Sequence, residues 1–171
     1  MKPSFLAAAL VCVAAASAFA ATLPAGYDDN PSVIEAVAKA KTSGKPVVVY
    51  FAEQNCPVCD AHDGWLVRAD VRQAYKDAYH FAIVYGDDMV PEERARWKAT
   101  YVPRGAPSWV VLDSEGGYVC TSSGGFPSAS AALELHKVLS RATTKGGDAK
   151  AMDAAVKPRA CSEKALGLPS T

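Results

Sequence analysis

Lys and Arg together are matched one for one by Asp and Glu, 18 against 18, so the chain lacks the charge excess that would draw it to nucleic acid or to an anionic membrane. Past residue 20 it also lacks any apolar run approaching the roughly 20 residues that a spanning helix needs. Neither nucleic acid binding nor stable membrane insertion is expected. Internal repeats are missing, and so is a second Cys-x-x-Cys; with only 3 histidines the chain offers few partners for a tetrahedral zinc ion. Asp60, not His, follows Cys59, which excludes the usual covalent haem attachment.

The first residues carry a different signature. Lys2 precedes an uncharged apolar run from Phe5 to Ala16, and Ala18-Phe19-Ala20 supplies the small-x-small pattern of a cleavage site, so residues 1–20 are predicted to be a cleaved signal peptide. A lipid anchor on Cys12 would need a small residue before it, and Val11 stands there. The remainder of the chain has the size of one domain with one adequate core. Export places the cysteines beyond the leader, Cys56, Cys59, Cys120 and Cys161, where disulfides persist.

Along the chain, Asp29 or Asn30 is expected to cap a first helix with Pro31 in its first turn, with Ile34, Val37, Ala38 and Lys41 at helical spacing and Ser43-Gly44 at its end. Val47 to Phe51 reads as a strand buried on both faces. A helix is predicted from Pro57 to about Arg68, then a continuation capped by Asp70 and running through Tyr79. His80 to Tyr85 is the next strand, and Pro91 opens a helix ending near Tyr101. Ser108–Leu112 and Gly117–Thr121 form a hairpin across Asp113-Ser114-Glu115-Gly116, and Ala129–Arg141 is a last amphipathic helix. This order predicts an α/β domain over 21–143, a central mixed sheet flanked by helices, with 144–171 as a C-terminal extension.

The chemistry is expected at Cys56-Pro57-Val58-Cys59. Disulfide exchange needs one cysteine reactive as a thiolate and a second within reach to resolve the mixed disulfide. At the start of a helix, Cys56 would face free N–H groups and the positive end of the dipole, both favouring the thiolate. Cys56 is therefore the predicted nucleophile and Cys59 the resolver. A purely structural bridge across two residues closes almost no loop and gains little. A metal site would need further ligands, and His62 and Asp63 are the nearby candidates on the same helix.

Val47 to Cys59, with Tyr101-Val102-Pro103-Arg104-Gly105-Ala106-Pro107-Ser108-Trp109-Val110-Val111-Leu112 later in the chain, resembles the thioredoxin family over about Ser32 to Arg141. Export and the single domain make the chain most similar to periplasmic thioredoxin-like proteins, including the C-terminal domain of the transmembrane disulfide reductase. The resemblance implies a thioredoxin-like fold and a periplasmic thiol-disulfide oxidoreductase that needs no organic cofactor and no metal. Its expected partners are protein disulfide substrates and a membrane-bound or soluble thiol redox partner. It also implies a cis peptide bond before Pro107, facing the redox pair, with Gly105 and Ala106 keeping the approach open to an extended substrate. Gly125-Phe126 resembles a third loop of the same groove.

Several residues depart from that family. Tyr50 stands where a buried acid, six positions before the first cysteine, often manages the resolver's proton; Glu53 is the nearer candidate, with a solvated loop carboxylate as its plain alternative. Asn55 replaces the usual tryptophan before Cys56, and Trp65 and Trp109 are expected in the core. Uncharged Val58 and the acidic Asp60 and Asp63 point to a reducing or intermediate couple rather than a strong oxidant. Cys120 and Cys161 are expected to form a structural staple, with a redox relay as the rival. His62 is assigned to a polar helix face, His80 and His136 to structure, and Asp87-Asp88 to a strand-end turn. The alternatives to an enzyme are a module that delivers a soft ion such as Cu(I) on the same two thiols, and a thioredoxin-fold binding domain without turnover.

Overall fold

A computed structural model describes residues 23–124 together with 160–161. Its elements run α1 (Val33–Ser43), β1 (Val47–Ala52), α2 (Pro57–Leu66), α3 (Ala69–Ala78), β2 (His80–Tyr85), a 3-10 turn (Gly86–Asp88), α4 (Pro91–Thr100), β3 (Ser108–Leu112) and β4 (Tyr118–Ser123). The expected helix Ala129–Arg141, with His136 in it, and Gly125-Phe126 lie outside the described residues.

The sheet order is β2-β1-β3-β4, with β1 parallel to β2 and the β1/β3 and β3/β4 pairs antiparallel. Every residue of β1 and β3 is buried, as befits strands covered on both faces. Alternation divides the core into two layers. Val48, Tyr50, Phe81, Ile83, Trp109 and Val111 face α2, α3 and Tyr27, whereas Val47, Val49, Phe51, Val110 and Leu112 face α1 and α4. A register shift between Val111 and Leu112 inserts one residue in β4, which lets both Val119 and Cys120 meet the first layer.

Local chemistry sets the boundaries. Ser32, rather than Asp29 or Asn30, caps α1: its hydroxyl accepts from the Glu35 N–H while the Glu35 carboxylate accepts from the Ser32 N–H, satisfying two otherwise orphaned donors at once. Asn30 turns instead to β2, donating to the Ile83 carbonyl at 2.9 Å and accepting from the Ile83 N–H at 2.7 Å. The buried side of α1 belongs to Ala36 and Ala40, and Ile34 is 83% exposed, because this helix lies close to the sheet and small residues fit there. Asp70 does not cap α3; Arg68 holds the N-cap position, and Asp70 sits in the first turn gripped by the Arg68 guanidinium at 3.0 and 3.1 Å. Its charge there also suits the helix dipole.

In the hairpin turn, Asp113 Oδ1 accepts from the N–H groups of Glu115 and Gly117. Gly116 is required on two counts: its φ is +86°, and a Cβ there would meet Val37 Cγ1 at 2.9 Å. On the outer side of β4, Thr121 bridges in parallel to Ala160, Cys161 N–H donates to the Thr121 carbonyl at 3.2 Å, and Cys120 is disulfide-bonded to Cys161. Ala160 and Cys161 are thereby pinned beside β4.

Candidate active site

Strand β1 delivers the chain to a tight turn at Gln54 and Asn55. Asn55 takes the left-handed conformation, φ +54°, which Asn tolerates better than most side chains. That turn makes Cys56 the N-cap of α2, with Pro57 in the first turn, where its missing N–H leaves no bond unmade. Cys56 Sγ accepts from the Cys59 N–H at 3.2 Å and is bonded to Cys59 Sγ. The two sulfurs differ in access: Cys56 is partly exposed, while Cys59 is 2% exposed in the layer beneath α2. Pro57 and Val58 lie open to solvent beside them, Val58 at 47%.

The Ala106-Pro107 peptide bond is cis, and Gly105 has φ +80° with nothing near the position of a Cβ. Ala106 packs against both core layers, one of them the layer that Cys56 borders. The Pro107 carbonyl accepts from Gly124 N–H at 3.0 Å, and Ser108 Oγ donates to the Gly105 carbonyl at 2.6 Å.

Behind the cysteines lies a set of buried polar groups that the residue pattern does not assign to the chemistry. Tyr50 donates its hydroxyl to the Cys59 carbonyl at 3.4 Å, and Tyr85 donates to Asp63 Oδ2 at the same distance. Asp63 lies one helical turn beyond Cys59; burial pushes its carboxyl up to about 6, an effect that hydrogen bonds from Tyr85 and Tyr50 only partly offset. Its Oδ1 is buried without a hydrogen bond. His62, expected on a polar face, is instead 1% exposed, with its ring 6.0 Å from that of Tyr50 and 5.8 Å from that of Trp109. Burial lowers its pKa to about 4. The buried spacing Cys59, His62, Leu66 is the inner stripe of α2, a helical period that could have placed His62 inside and Asp63 at its margin.

Glu53 is neither solvated nor turned to the resolver's proton. Its Oε1 lies 2.7 Å from Arg94 Nη2 and 2.7 Å from Lys98 Nζ. Partial burial alone would raise its carboxyl, but the bonds from Lys98 and Arg94 win and hold it below the ordinary range. Asp87, read only as part of a turn, accepts from the Gln54 N–H and pairs with Arg94 at 3.2 Å. Trp109 is in the core as expected, and Trp65 is half-buried. Among the described residues no group of three or more His, Cys, Asp or Glu side chains is placed to hold a metal ion.

The fold is thioredoxin-like, and the thioredoxin-like family matches residues 30–114 of this chain, from just before α1 through the cis-proline strand β3. Within that fold a bonded cysteine pair of Cys-x-x-Cys spacing stands at the N-terminus of α2. Among solved structures, a disulphide isomerase from Xylella fastidiosa Temecula1 is 22% identical, with 69% of this chain and 97% of that chain covered and a TM-score of 0.55. A thioredoxin from Thermus thermophilus is 28% identical, with 69% and 88% covered and a TM-score of 0.52. The DsbD C-terminal domain from Neisseria meningitidis, in its reduced form, is 23% identical over 61% of this chain and 90% of that one, with a TM-score of 0.47. No match is found among curated proteins. No helix among the described residues is long and apolar enough to cross a membrane.

Proposed function

We propose that this chain is a periplasmic thiol-disulfide oxidoreductase, freed from a signal peptide at residues 1–20, that passes electrons to disulfides in protein substrates through Cys56 and Cys59. The observation that carries this reading is the asymmetry of the pair: one sulfur is reachable at a helix N-terminus, and the other is buried one turn inward. In the reduced protein the Cys56 thiolate attacks one sulfur of a substrate disulfide, forming a mixed disulfide and releasing one substrate thiolate. Cys59, deprotonated, then attacks Cys56 Sγ, closes the 56–59 bond and releases the second thiolate. Two electrons pass to the substrate. A thiol donor, membrane-bound or soluble, restores the reduced pair.

Gly105, Ala106 and Pro107 supply the surface along which an extended substrate lies, with Pro57 and Val58 completing the rim. Buried Cys59 must lose its proton to a nearby base, and Asp63 takes that role in place of Glu53, whose carboxylate is held by two cations. The couple is reducing or intermediate, because Val58 carries no charge and Asp60 and Asp63 on α2 disfavour an extreme thiolate. Cys120 and Cys161, 0% and 8% exposed, serve as the staple rather than a relay.

The test is Cys59→Ser expressed with its leader in an exporting cell. Mixed disulfides trapped on Cys56 with periplasmic proteins are expected. Stoichiometric Cu(I) binding with no trapped protein would sink the oxidoreductase reading in favour of metal delivery.

A further inference from the structure

Two of the three residues that lead into Cys56, Glu53 and Gln54, are gripped from outside the redox site. Glu53 is held at 2.7 Å by both Arg94 and Lys98 of α4, and the Gln54 N–H is held by Asp87 of the 3-10 turn. Arg94 joins the two grips, since its Nη2 also lies 3.2 Å from Asp87 Oδ1 and its Nε donates to Glu53 at 3.2 Å. One guanidinium thus fixes two carboxylates, a use suited to its rigid fork of donors and poorly matched by a lysine. The backbone is shaped for this contact: a Cβ on Gly86 would meet Phe51 Cζ at 2.7 Å and Arg94 Nε at 3.4 Å, so only glycine brings the turn this close. Between the clamped residues and Cys56 stands only Asn55, in its left-handed turn.

We propose that Arg94 is a positioning residue for the nucleophile: by bridging Glu53 and Asp87 it holds the 53–55 turn in the one conformation that sets Cys56 at the N-terminus of α2. The inference rests on the oxidoreductase reading, since it gives Arg94 a role in the reactivity of Cys56. It touches neither sulfur and acts through the turn. Its charge contributes in the same direction: without it Glu53 would keep Lys98 but Asp87 would lose its pairing with Arg94, and the added negative charge would oppose a thiolate nearby. Loosening the turn would also weaken the alignment of the sulfur with the helix N-terminus.

The experiment tracks the reduced, full-length protein through two readouts, the pH dependence of Cys56 alkylation by iodoacetamide and the thermal midpoint. In Arg94→Met the alkylation rate at pH 7 is expected to fall about threefold or more, with the whole profile displaced to higher pH. Arg94→Lys, which keeps a charge but loses the fork, is expected to fall between. Glu53→Gln combined with Arg94→Met is expected to cost less than the two effects together, because both substitutions break one link. An unchanged Cys56 profile in Arg94→Met, whatever happens to the midpoint, overturns the proposal. Should Arg94→Met not fold, Arg94→Lys decides: an intermediate displacement supports the role and a parental profile overturns it. A Cys56 that alkylates no faster than an ordinary thiol in the unaltered protein would instead sink the oxidoreductase reading itself.

Discussion

Tyr85 donates its hydroxyl to Asp63 across 3.4 Å, tying β2 to the helix that carries both cysteines. Tyr50, on the neighbouring strand, donates to the carbonyl of Cys59 on that same helix. The acid that this family usually places on the central strand is thus absent from it, and an acid on α2 sits over the tyrosine that fills the vacant position.

Asp63 is expected to govern the second chemical step and to leave the first largely untouched. With a chromogenic aromatic disulfide as substrate, the reduced protein releases one product as Cys56 attacks and the other as Cys59 resolves. Asp63 accepts a proton only when ionised, so the second phase should slow as pH falls through about 6. In Asp63→Asn that phase should be slower at pH 7 by about tenfold to hundredfold, and its acid limb should vanish. A second phase unaltered by Asp63→Asn removes it from the mechanism.

His62 and Asp63 are neighbours whose burial acts on stability with opposite signs. Asp63 keeps its proton in the fold up to about 6, against 3.8 in the unfolded chain, so its contribution favours the fold at low pH and is lost as pH rises through that window. His62 resists protonation in the fold down to about 4, against 6.5 unfolded, so its contribution favours the fold at neutral pH and is lost on acidification. Between pH 6 and 4 the two offset each other. Urea midpoints should therefore fall more steeply with acid in Asp63→Asn than in the parent, and less steeply in His62→Gln. Identical acid slopes in all three proteins would contradict the burial of both groups.

The limits of sequence reading show in these same residues. The bounds of β2 and β3 and the sheet's parallel start can be read from β-branched runs and turn residues, because those signals are local. The cysteine pair is legible for the same reason. Glu53 misleads because its partners Arg94 and Lys98 lie some 40 positions away and meet it only once α4 folds over the β1 loop. His62 misleads because two aspartates beside it make α2 look polar, whereas the period from Cys59 to Leu66 sets its buried stripe. Asn30 has the look of a helix cap, but Ser32 and Glu35 close a box of their own.

Asn55 offers a test of the turn. Its φ of +54° is open to glycine without steric penalty, so Asn55→Gly should leave stability within a few tenths of a kcal/mol. Asn55→Val places a β-branched side chain in the left-handed region and should cost about 1–2 kcal/mol in urea denaturation. The tryptophan common at this position in the family should behave like valine in sign. Equal stability of the glycine and valine variants would mean that the turn is not held left-handed.

The Cys120–Cys161 bond spans 41 positions and closes a long loop onto the outer strand, so its removal should cost more than that of the redox bond. In the loop-entropy picture the long bridge is worth on the order of 4 kcal/mol, and the three-residue Cys56–Cys59 loop much less. Cys120→Ala/Cys161→Ala should therefore lower the unfolding free energy by about 3–4 kcal/mol, part of it from the cavity left at fully buried Cys120. Reduction should discriminate the pair in the same order. Cys120 is sealed and Cys161 nearly so, whereas Cys56 is partly exposed, so a mild dithiol at neutral pH should reduce 56–59 while 120–161 stays closed. Mass spectrometry after stepwise alkylation reads both events. Simultaneous opening of the two bonds would mean that the second disulfide is reachable by thiols, and its role as a staple would have to be replaced by one in electron transfer.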